Sequence, residues 1–223
     1  MTTSRSFLDG LAQDDRAALA ARWTVRHYDR KKMIIAHDEQ SRDVFFVLEG
    51  RARATVYSEE GKSVAFRDIE AGGIFGELAA IDGKTRSASV IALDPLRIAT
   101  LSEAAFRELV TSRPGLTWAL LTHLTLQIRH MTDRVYEFST LIVRKRLIRE
   151  LLRLAQHDDR QGAPATINPV PTHFDLASRI STHREAVSRE MSALARNNLI
   201  EKRGKKLILK DVDALERLCG SEE

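Results

Sequence analysis

The spacing of apolar side chains changes once along the chain, and this change constrains the fold more than any other feature. Between about 25 and 101, short runs such as VFFVLEG (44–50) and LRIATL (96–101) are separated by turn residues. Further on, apolar residues lie alternately three and four positions apart, the heptad pattern of a helix that packs against a partner helix. These residues are Leu121, Leu124, Ile128, Met131, Val135, Phe138 and Ile142. The order predicts a β-rich domain followed by a long dimerisation helix.

Five runs in the N-terminal half are predicted to be strands. They are 44–50, 51–57, 62–69, 86–93 and 96–101, with the turn SEEG at 58–61 between the second and the third. Strands at this spacing of roughly 8–12 residues are typical of a sandwich, barrel or roll. Apolar residues with acids between them predict short helices in the first twenty residues, and the polar stretch 157–171 predicts a loop.

Basic residues are concentrated in the C-terminal part of the chain. Residues 1–142 contain 19 Lys and Arg against 19 Asp and Glu, whereas residues 143–223 contain 16 against 12 and so carry the net charge of +4. Up to Lys210 the same segment has 15 against 7, a net charge of +8. This distribution favours a module that binds a polyanion, with a solvated basic surface as the alternative.

The segment 172–200 has the pattern of a helix-turn-helix. Thr172 with Asp175 predicts the start of a short helix, Ile180-Ser181-Thr182 predicts a break, and a second helix runs to about Arg196. The stretch EKRGKKLILK (201–210) predicts a β-hairpin, whose tip with Lys202, Arg203, Lys205 and Lys206 suits phosphate contacts. The second helix is predicted to turn Val187, Met191 and Leu194 inward and Glu185, Ser188, Arg189, Ser192 and Arg196 outward.

The outward face of the second helix can recognise base edges. Arginine can bond guanine O6 and N7 together, and glutamate can accept from cytosine N4. Two local alternatives remain open from the sequence: a capping box between Thr182 and Glu185, and an i,i+4 ion pair between Glu185 and Arg189.

Over residues 8–210 the chain resembles the cyclic-AMP receptor protein and fumarate–nitrate regulator (CRP/FNR) family of bacterial transcription regulators. REAVSR at 184–189 is similar to the recognition-helix pattern of that family, Arg-Glu-x-Val-x-Arg. The resemblance implies an α+β fold: a jelly-roll-like β-roll with a dimerisation helix in 1–142, and a winged helix-turn-helix in 143–223. Ser181 stands where many members have glycine.

The resemblance also implies how the protein works. A cytoplasmic homodimer would bind palindromic GTGA-like sites in double-stranded DNA and contact RNA polymerase. Bases would be read by Arg184, Glu185 and Arg189, and the DNA backbone would be contacted by Thr172, Thr182, His183 and Lys205.

GGIFGELAAIDGKTRSASV at 72–90 places a glutamate and an arginine nine positions apart among small residues. A glycine turn before a short helix exposes backbone N–H groups, and Arg86 supplies the charge that a desolvated phosphodiester requires. Glu77 suits a sugar hydroxyl, and Ser87 adds a hydroxyl donor. This set matches a ribose with one phosphate and not ATP, because no G-x-x-x-x-G-K-[ST] loop is present.

The same stretch is similar to the phosphate-binding cassette of cyclic-nucleotide domains. The similarity implies that the sugar-phosphate is held by Gly76, Glu77, Leu78 through its main chain, Arg86 and Ser87. Ala54 and Phe66 would be pocket walls, and Thr132 would contact the base. Where cyclic-AMP-responsive members have two hydroxyl residues this chain has Met131-Thr132, and Gln127 replaces an arginine. Cyclic AMP is the first choice as allosteric ligand, and cyclic GMP is the second.

Composition and motifs also bear on other classes of protein, namely metal- or haem-containing sensors, membrane proteins, enzymes and ligand-independent regulators. The single cysteine, Cys219, cannot supply the about four thiolates of an iron–sulfur cluster, and the scattered histidines do not suggest haem or a metal site. We expect no membrane segment, because no long apolar run occurs near Met1. No nucleophile–base set suggests an enzyme. A ligand-independent regulator, with Glu77 and Arg86 paired in a vestigial pocket, remains an alternative.

Overall fold

The computed structural model describes residues 6–57, 63–155 and 164–220, so the predicted turn 58–61 and part of the predicted loop 157–171 lie outside the described residues. The chain divides into two compact units, Met1–His130 and Met131–Glu223. A 3-10 turn spans Leu8–Gly10, and the helices are α1 Gln13–Ala20, α2 Glu77–Asp82, α3 Glu103–Ser112, α4 Pro114–Thr140, α5 Val143–Leu154, α6 His173–Arg179, α7 Arg184–Arg196 and α8 Val212–Gly220. The strands are β1 Thr24–Tyr28, β2 Met33–Ile35, β3 Val44–Glu49, β4 Ala52–Tyr57, β5 Ser63–Ile69, β6 Ile74–Phe75, β7 Ser89–Ala92, β8 Leu96–Leu101, β9 Ala165–Ile167, β10 Ile200–Arg203 and β11 Lys206–Leu209.

Two antiparallel sheets form the N-terminal unit. Their strand orders among the described residues are β1-β8-β3-β6 and β2-β7-β4-β5. Strand β3 is buried on both faces, which explains its uninterrupted apolar run. Phe45 and Val47 belong to the cluster that includes β4 and β7 residues, whereas Val44 and Phe46 belong to the cluster that includes α3 and the start of α4. The predicted β-roll is confirmed.

The five predicted strands are present as β3, β4, β5, β7 and β8, but β7 begins at Ser89 and not at residue 86. The backbone of Arg86 bonds instead to the loop after β2, donating to Glu39 O and accepting from Asp38 N. Strands β1, β2 and β6 were not predicted. They are short, and β1 is exposed along most of its length.

The predicted dimerisation helix is present as α4, but it ends at Thr140. Ile142, the last residue of the predicted seam, has extended backbone and precedes α5. Two other seam residues have partners within their own unit: Leu124 packs on the N-terminal core, and the Phe138 ring lies 5.0 Å from the Arg134 guanidinium. Leu121, Ile128 and Val135 are exposed by 51%, 67% and 65%, and one heptad position therefore forms the open stripe.

The C-terminal unit has one apolar core under a sheet of order β10-β11-β9 in the part of the chain that is described. Strand β9 corrects the sequence prediction, which assigned residues 165–167 to a loop. Ala165 and Ile167 are buried in this strand and pair with β11, so the end of the polar stretch is drawn into the sheet.

A buried ionic cluster also belongs to the C-terminal unit. The Glu150 carboxylate is 3% exposed and lies 3.0 Å from Arg134, 2.9 Å from Arg153 and 3.1 Å from Arg179. Arg153 also pairs with Glu137, which is 5% exposed. The cluster therefore connects the last turns of α4 with α5 and α6.

Candidate functional site

Arg86 is a buried arginine that is held by neutral acceptors. It is 2% exposed, and its guanidinium donates to Gly76 O at 2.9 Å, Asp43 O at 2.8 Å and Ser41 Oγ at 3.1 Å. Burial lowers the pKa of Arg86. Because a guanidinium has five N–H donors, these bonds leave two for another acceptor in the described part of the chain. The group is fixed in position and keeps its charge available to an anion.

Gly76 is required by the close approach of this guanidinium. Its φ of +83° lies in the left-handed region. A Cβ at this position would lie 2.8 Å from Arg86 Nη1 and 2.9 Å from Asp43 O. Glycine therefore allows the turn before α2 to reach the arginine.

Glu77 is the first residue of α2 and is 2% exposed. Its Oε1 accepts from Gln127 Nε2 at 3.2 Å and lies 3.9 Å from Arg67 Nη2. Among the described residues Glu77 and Arg86 do not form an ion pair, so the pairing that would close a vestigial pocket is absent.

Arg67 lies near this carboxylate, and His123 lies beside both Arg67 and Gln127. The sequence patterns assigned no role to Arg67 or His123. Strand β5 carries the first and α4 carries the second, and His123 Nε2 is 2.6 Å from Gln127 Nε2. Burial, together with the nearby Arg67 charge, lowers the pKa of His123 to about 4. In the sequence, Gln127 is distinguished only by its departure from the family pattern, and no local pattern singles out Arg67 or His123.

A pocket of about 370 Å³ lies beside α2 and the segment after it. Leu78, Arg86 and Ser87 of the predicted nucleotide set line this pocket, together with Leu124. The other lining residues are His37, Asp38, Ile81, Asp82, Lys84 and Thr85.

The remaining residues of the predicted nucleotide set do not line this pocket. Ala54 lies on β4 opposite Arg67 of β5, and the Phe66 side chain next to it is 41% exposed. Thr132 is exposed on α4.

The helix-turn-helix begins with a capping box. Thr172 accepts from the Asp175 N–H at 3.1 Å, and the Asp175 side chain accepts from the Thr172 N–H at 3.2 Å. Ser181, in the turn, has a φ of +51°. This left-handed conformation explains why glycine would be suitable here, and serine adopts it at some cost.

The faces of α7 agree with the predicted ones. Val187, Met191 and Leu194 are buried in the C-terminal core. The side chains assigned to base reading, Arg184, Glu185 and Arg189, are exposed. The cap of α7 is His183 without a side-chain cap bond, so the capping box between Thr182 and Glu185 is wrong. Nor do Glu185 and Arg189 pair in the described chain.

The predicted hairpin is confirmed as β10 and β11, which pair from Ile200 with Leu209 to Arg203 with Lys206. Arg203 lies 2.6 Å from Glu201, an ion pair that helps lower the pKa of Glu201 to about 2. Lys202, Lys205 and Lys206 are exposed along the hairpin.

Neither a metal centre nor a membrane span was found in these residues. Over 6–57, 63–155 and 164–220, no three His, Cys, Asp or Glu side chains are grouped as a metal ion would require. Within the same ranges no helix has the length and hydropathy needed to cross a bilayer.

Two family models match the chain: the cyclic nucleotide-binding domain over residues 25–113, and the Crp-like helix-turn-helix domain over residues 145–218. The cAMP-activated global transcriptional regulator CRP of Salmonella typhimurium is 25% identical over 186 residues, covering 83% of this chain and 89% of that protein. The cAMP-activated global transcriptional regulator Vfr of Pseudomonas aeruginosa is 26% identical over 188 residues, covering 82% and 88%.

Solved structures agree with these matches. A CRP/FNR family regulator from Thermus thermophilus has a TM-score of 0.73 and 25% identity, covering 90% of this chain and all of that one (100%). The c-di-GMP-responsive regulator CLP of Xanthomonas campestris has a TM-score of 0.78 at 18% identity, covering 89% and 99%, and supports the fold alone.

A β-roll of the cyclic-nucleotide-binding type, followed by a long helix and a winged helix-turn-helix, defines a class of transcription regulators with a separate sensor domain. The chain belongs to the CRP/FNR family of these regulators.

Proposed function

We propose that the protein is a cyclic-nucleotide-responsive, homodimeric transcription regulator, with cyclic AMP as the first choice of ligand and cyclic GMP as the second. The observation that carries this proposal is the state of Arg86. A buried cation that bonds neutral acceptors, and does not pair with Glu77, is prepared for an anionic ligand.

In this proposal the residues of the cassette share one ligand. Arg86 and Ser87 bind the phosphate, with Gly76 and the Leu78 main chain beside it, and Glu77 accepts from a ribose hydroxyl. Further residues would form the walls and meet the base: Ala54, Phe66 and Thr132. Cyclic AMP and cyclic GMP share the phosphate and the ribose, so the selectivity between their bases would depend on Thr132.

We propose that two copies associate through α4. The support is its open apolar stripe, where Leu121, Ile128 and Val135 are more than half exposed. Large apolar side chains repeated along one line of a helix are typical of a surface that a partner covers.

The proposed DNA interface is α7 with its hairpin. Arg184, Glu185 and Arg189 would read bases in palindromic GTGA-like sites, and Thr172, Thr182, His183 and Lys205 would contact the backbone. The support is the exposure of the three α7 side chains and the absence of both local pairings that competed for Glu185. RNA polymerase is a further proposed partner, the proposed location is the cytoplasm, and no catalytic activity is proposed.

The ligand would act by differential affinity for two arrangements of the chain. A nucleotide that binds the DNA-competent arrangement more tightly shifts the population toward it. We place the switching element at residues 138–143, where α4 ends and α5 begins. The boundary between a sensor domain (1–142) and a DNA-binding domain (143–223) falls in the same stretch.

The proposal is tested by calorimetric titration of the full-length protein with cyclic AMP and cyclic GMP. Each titration is followed by a gel shift on a GTGA-type palindrome with and without the same nucleotide. We expect one nucleotide to bind and to strengthen DNA binding. DNA binding that is unchanged when neither nucleotide binds would support the ligand-independent alternative.

Replacing Arg184 by alanine is expected to weaken binding to the palindrome by about 1–3 kcal/mol and to relax specificity at one base pair, because a bidentate base contact is lost. Fluorescence anisotropy on the palindrome and on single-base variants measures both effects. Arg196→Ala, at the other end of α7, is the matched control. A loss that is equal on every sequence would make Arg184 a phosphate contact.

A further inference from the structure

Arg67 brings a positive charge to Glu77 from the sheet. It lies on β5, its side chain is 25% exposed, and its Nη2 donates to Ile74 O at 2.8 Å while lying 3.9 Å from Glu77 Oε1. The pKa of Arg67 is lowered by burial. The carbonyl bond fixes the guanidinium, which therefore faces the carboxylate in one orientation.

Gln127 reaches the same carboxylate from α4. Its amide nitrogen is 3.2 Å from Glu77 Oε1, and the opposite amide orientation would place an oxygen against the carboxylate. The amide nitrogen therefore faces Glu77, and the same nitrogen is 2.6 Å from His123 Nε2.

His123 must be a neutral acceptor in this arrangement. Its Nε2 also lies 3.5 Å from Arg67 Nη1, so both polar neighbours of this atom are donors. An N–H group there would face two donors and the Arg67 charge, which places the ring proton on Nδ1. The lowered pKa of His123 agrees with this assignment. The Phe7 and His123 rings pack in a T-shaped pair with their centroids 5.7 Å apart.

We propose that Arg67, His123 and Gln127 are positioning residues that fix the carboxylate at the start of α2 to accept from a ribose 2′-hydroxyl. This inference rests on the proposed function. His123 aligns the two donors, and the donors hold the Glu77 carboxylate at a fixed place. The family resemblance implies an arginine at position 127 of α4. This chain has the neutral Gln127 there, and the positive charge near Glu77 comes instead from Arg67 of β5.

The test compares two ligands that differ by one hydroxyl. Calorimetry at pH 7 measures the affinity of the full-length wild type and of Arg67→Met for 3′,5′-cyclic AMP and for its 2′-deoxy analogue. We expect Arg67→Met to weaken binding of cyclic AMP about tenfold, because the hydrogen bond from the ribose 2′-hydroxyl to the Glu77 carboxylate would be lost. The 2′-deoxy analogue cannot make this bond, so its binding should weaken less than about twofold. Gln127→Met should show the same selectivity.

Arg51→Met is the matched control, because Arg51 pairs with Asp94 in the same unit and does not contact Glu77. We expect it to change neither affinity. An equal loss for both ligands in Arg67→Met, or no loss, would overturn the positioning role while wild-type binding upholds the proposed function. If the wild type bound neither cyclic AMP, cyclic GMP nor the 2′-deoxy analogue, the proposed function and this inference would both be overturned.

A measurement without ligand tests the network itself. Nitrogen-15 NMR of the histidine rings in the free full-length protein, assigned with His123→Gln, reports the charge and tautomer of His123. We expect a neutral ring with the proton on Nδ1 at pH 6. A charged ring at that pH would overturn the network whatever the nucleotide affinity.

Discussion

Replacing Arg86 by methionine is expected to weaken cyclic-nucleotide binding on the order of 100-fold or more. Two hydrogen bonds from a charged donor contribute about 1.5–3 kcal/mol each, and about 1.4 kcal/mol corresponds to a factor of ten. Methionine keeps the length of the side chain and removes both the charge and the donors. Calorimetric titration of the full-length variant measures the loss.

Arg86 also donates to two backbone carbonyls, so its replacement could disturb folding as well as ligand binding. A control variant is needed to separate the two effects. Arg107→Met is matched to it, because Arg107 donates to Ala80 O and Ile81 O of α2 and does not line the pocket. We expect this variant to bind as the wild type does. Arg86→Lys keeps a charge and should bind weakly, since an ammonium lacks the planar fork. Unchanged affinity in a folded Arg86→Met protein would contradict the phosphate role.

Replacing Glu150 by alanine is expected to destabilise the C-terminal unit by about 3–5 kcal/mol, because three arginines would lose a shared buried partner. Both tryptophans of the chain, Trp23 and Trp118, lie in the N-terminal unit. Urea unfolding followed by tryptophan fluorescence therefore reports that unit, whereas circular dichroism reports both. We expect part of the dichroism transition to move to lower urea while the fluorescence transition stays in place.

Glu190→Ala is the matched control for this substitution. Glu190 pairs with Arg144 at 2.8 Å in a more exposed setting, and surface pairs contribute about 0–1 kcal/mol. A loss of stability in Glu150→Ala no larger than in this control would mean that the arginines find other partners or water.

The helix-turn-helix could be predicted because its signals are local. The Thr172–Asp175 cap and the spacing of Val187, Met191 and Leu194 are properties of a few neighbouring residues, and the structure has both. Strands β1, β2 and β6 depend on pairing with distant segments. A short exposed run such as TVRHY in β1 carries little signal of its own.

The site was predictable only in part, for the same reason. The cassette that holds Glu77 and Arg86 is one continuous stretch. Arg67 and His123 are 56 residues apart, and only the folded sheet and helix bring them together. The predicted seam extends to Ile142 because apolar residues continue past Thr140. In the structure α4 ends at Thr140, Ile142 has extended backbone, and the following Val143 begins α5 and packs on the C-terminal core.

The open stripe of α4 has a consequence for how a second helix can be aligned on it. Thr125 lies between Leu121 and Ile128 on the exposed side, and its hydroxyl already donates to Leu121 O at 2.8 Å. Covering Thr125 with an apolar surface would therefore leave no hydroxyl donor without a hydrogen-bond acceptor. Thr125 and Thr132 lie between Leu121, Ile128 and Val135 along the stripe, so a second helix shifted by half a heptad would oppose these three apolar side chains to threonine. In the proposed homodimer, one axial register of the two helices would therefore be favoured over its neighbours.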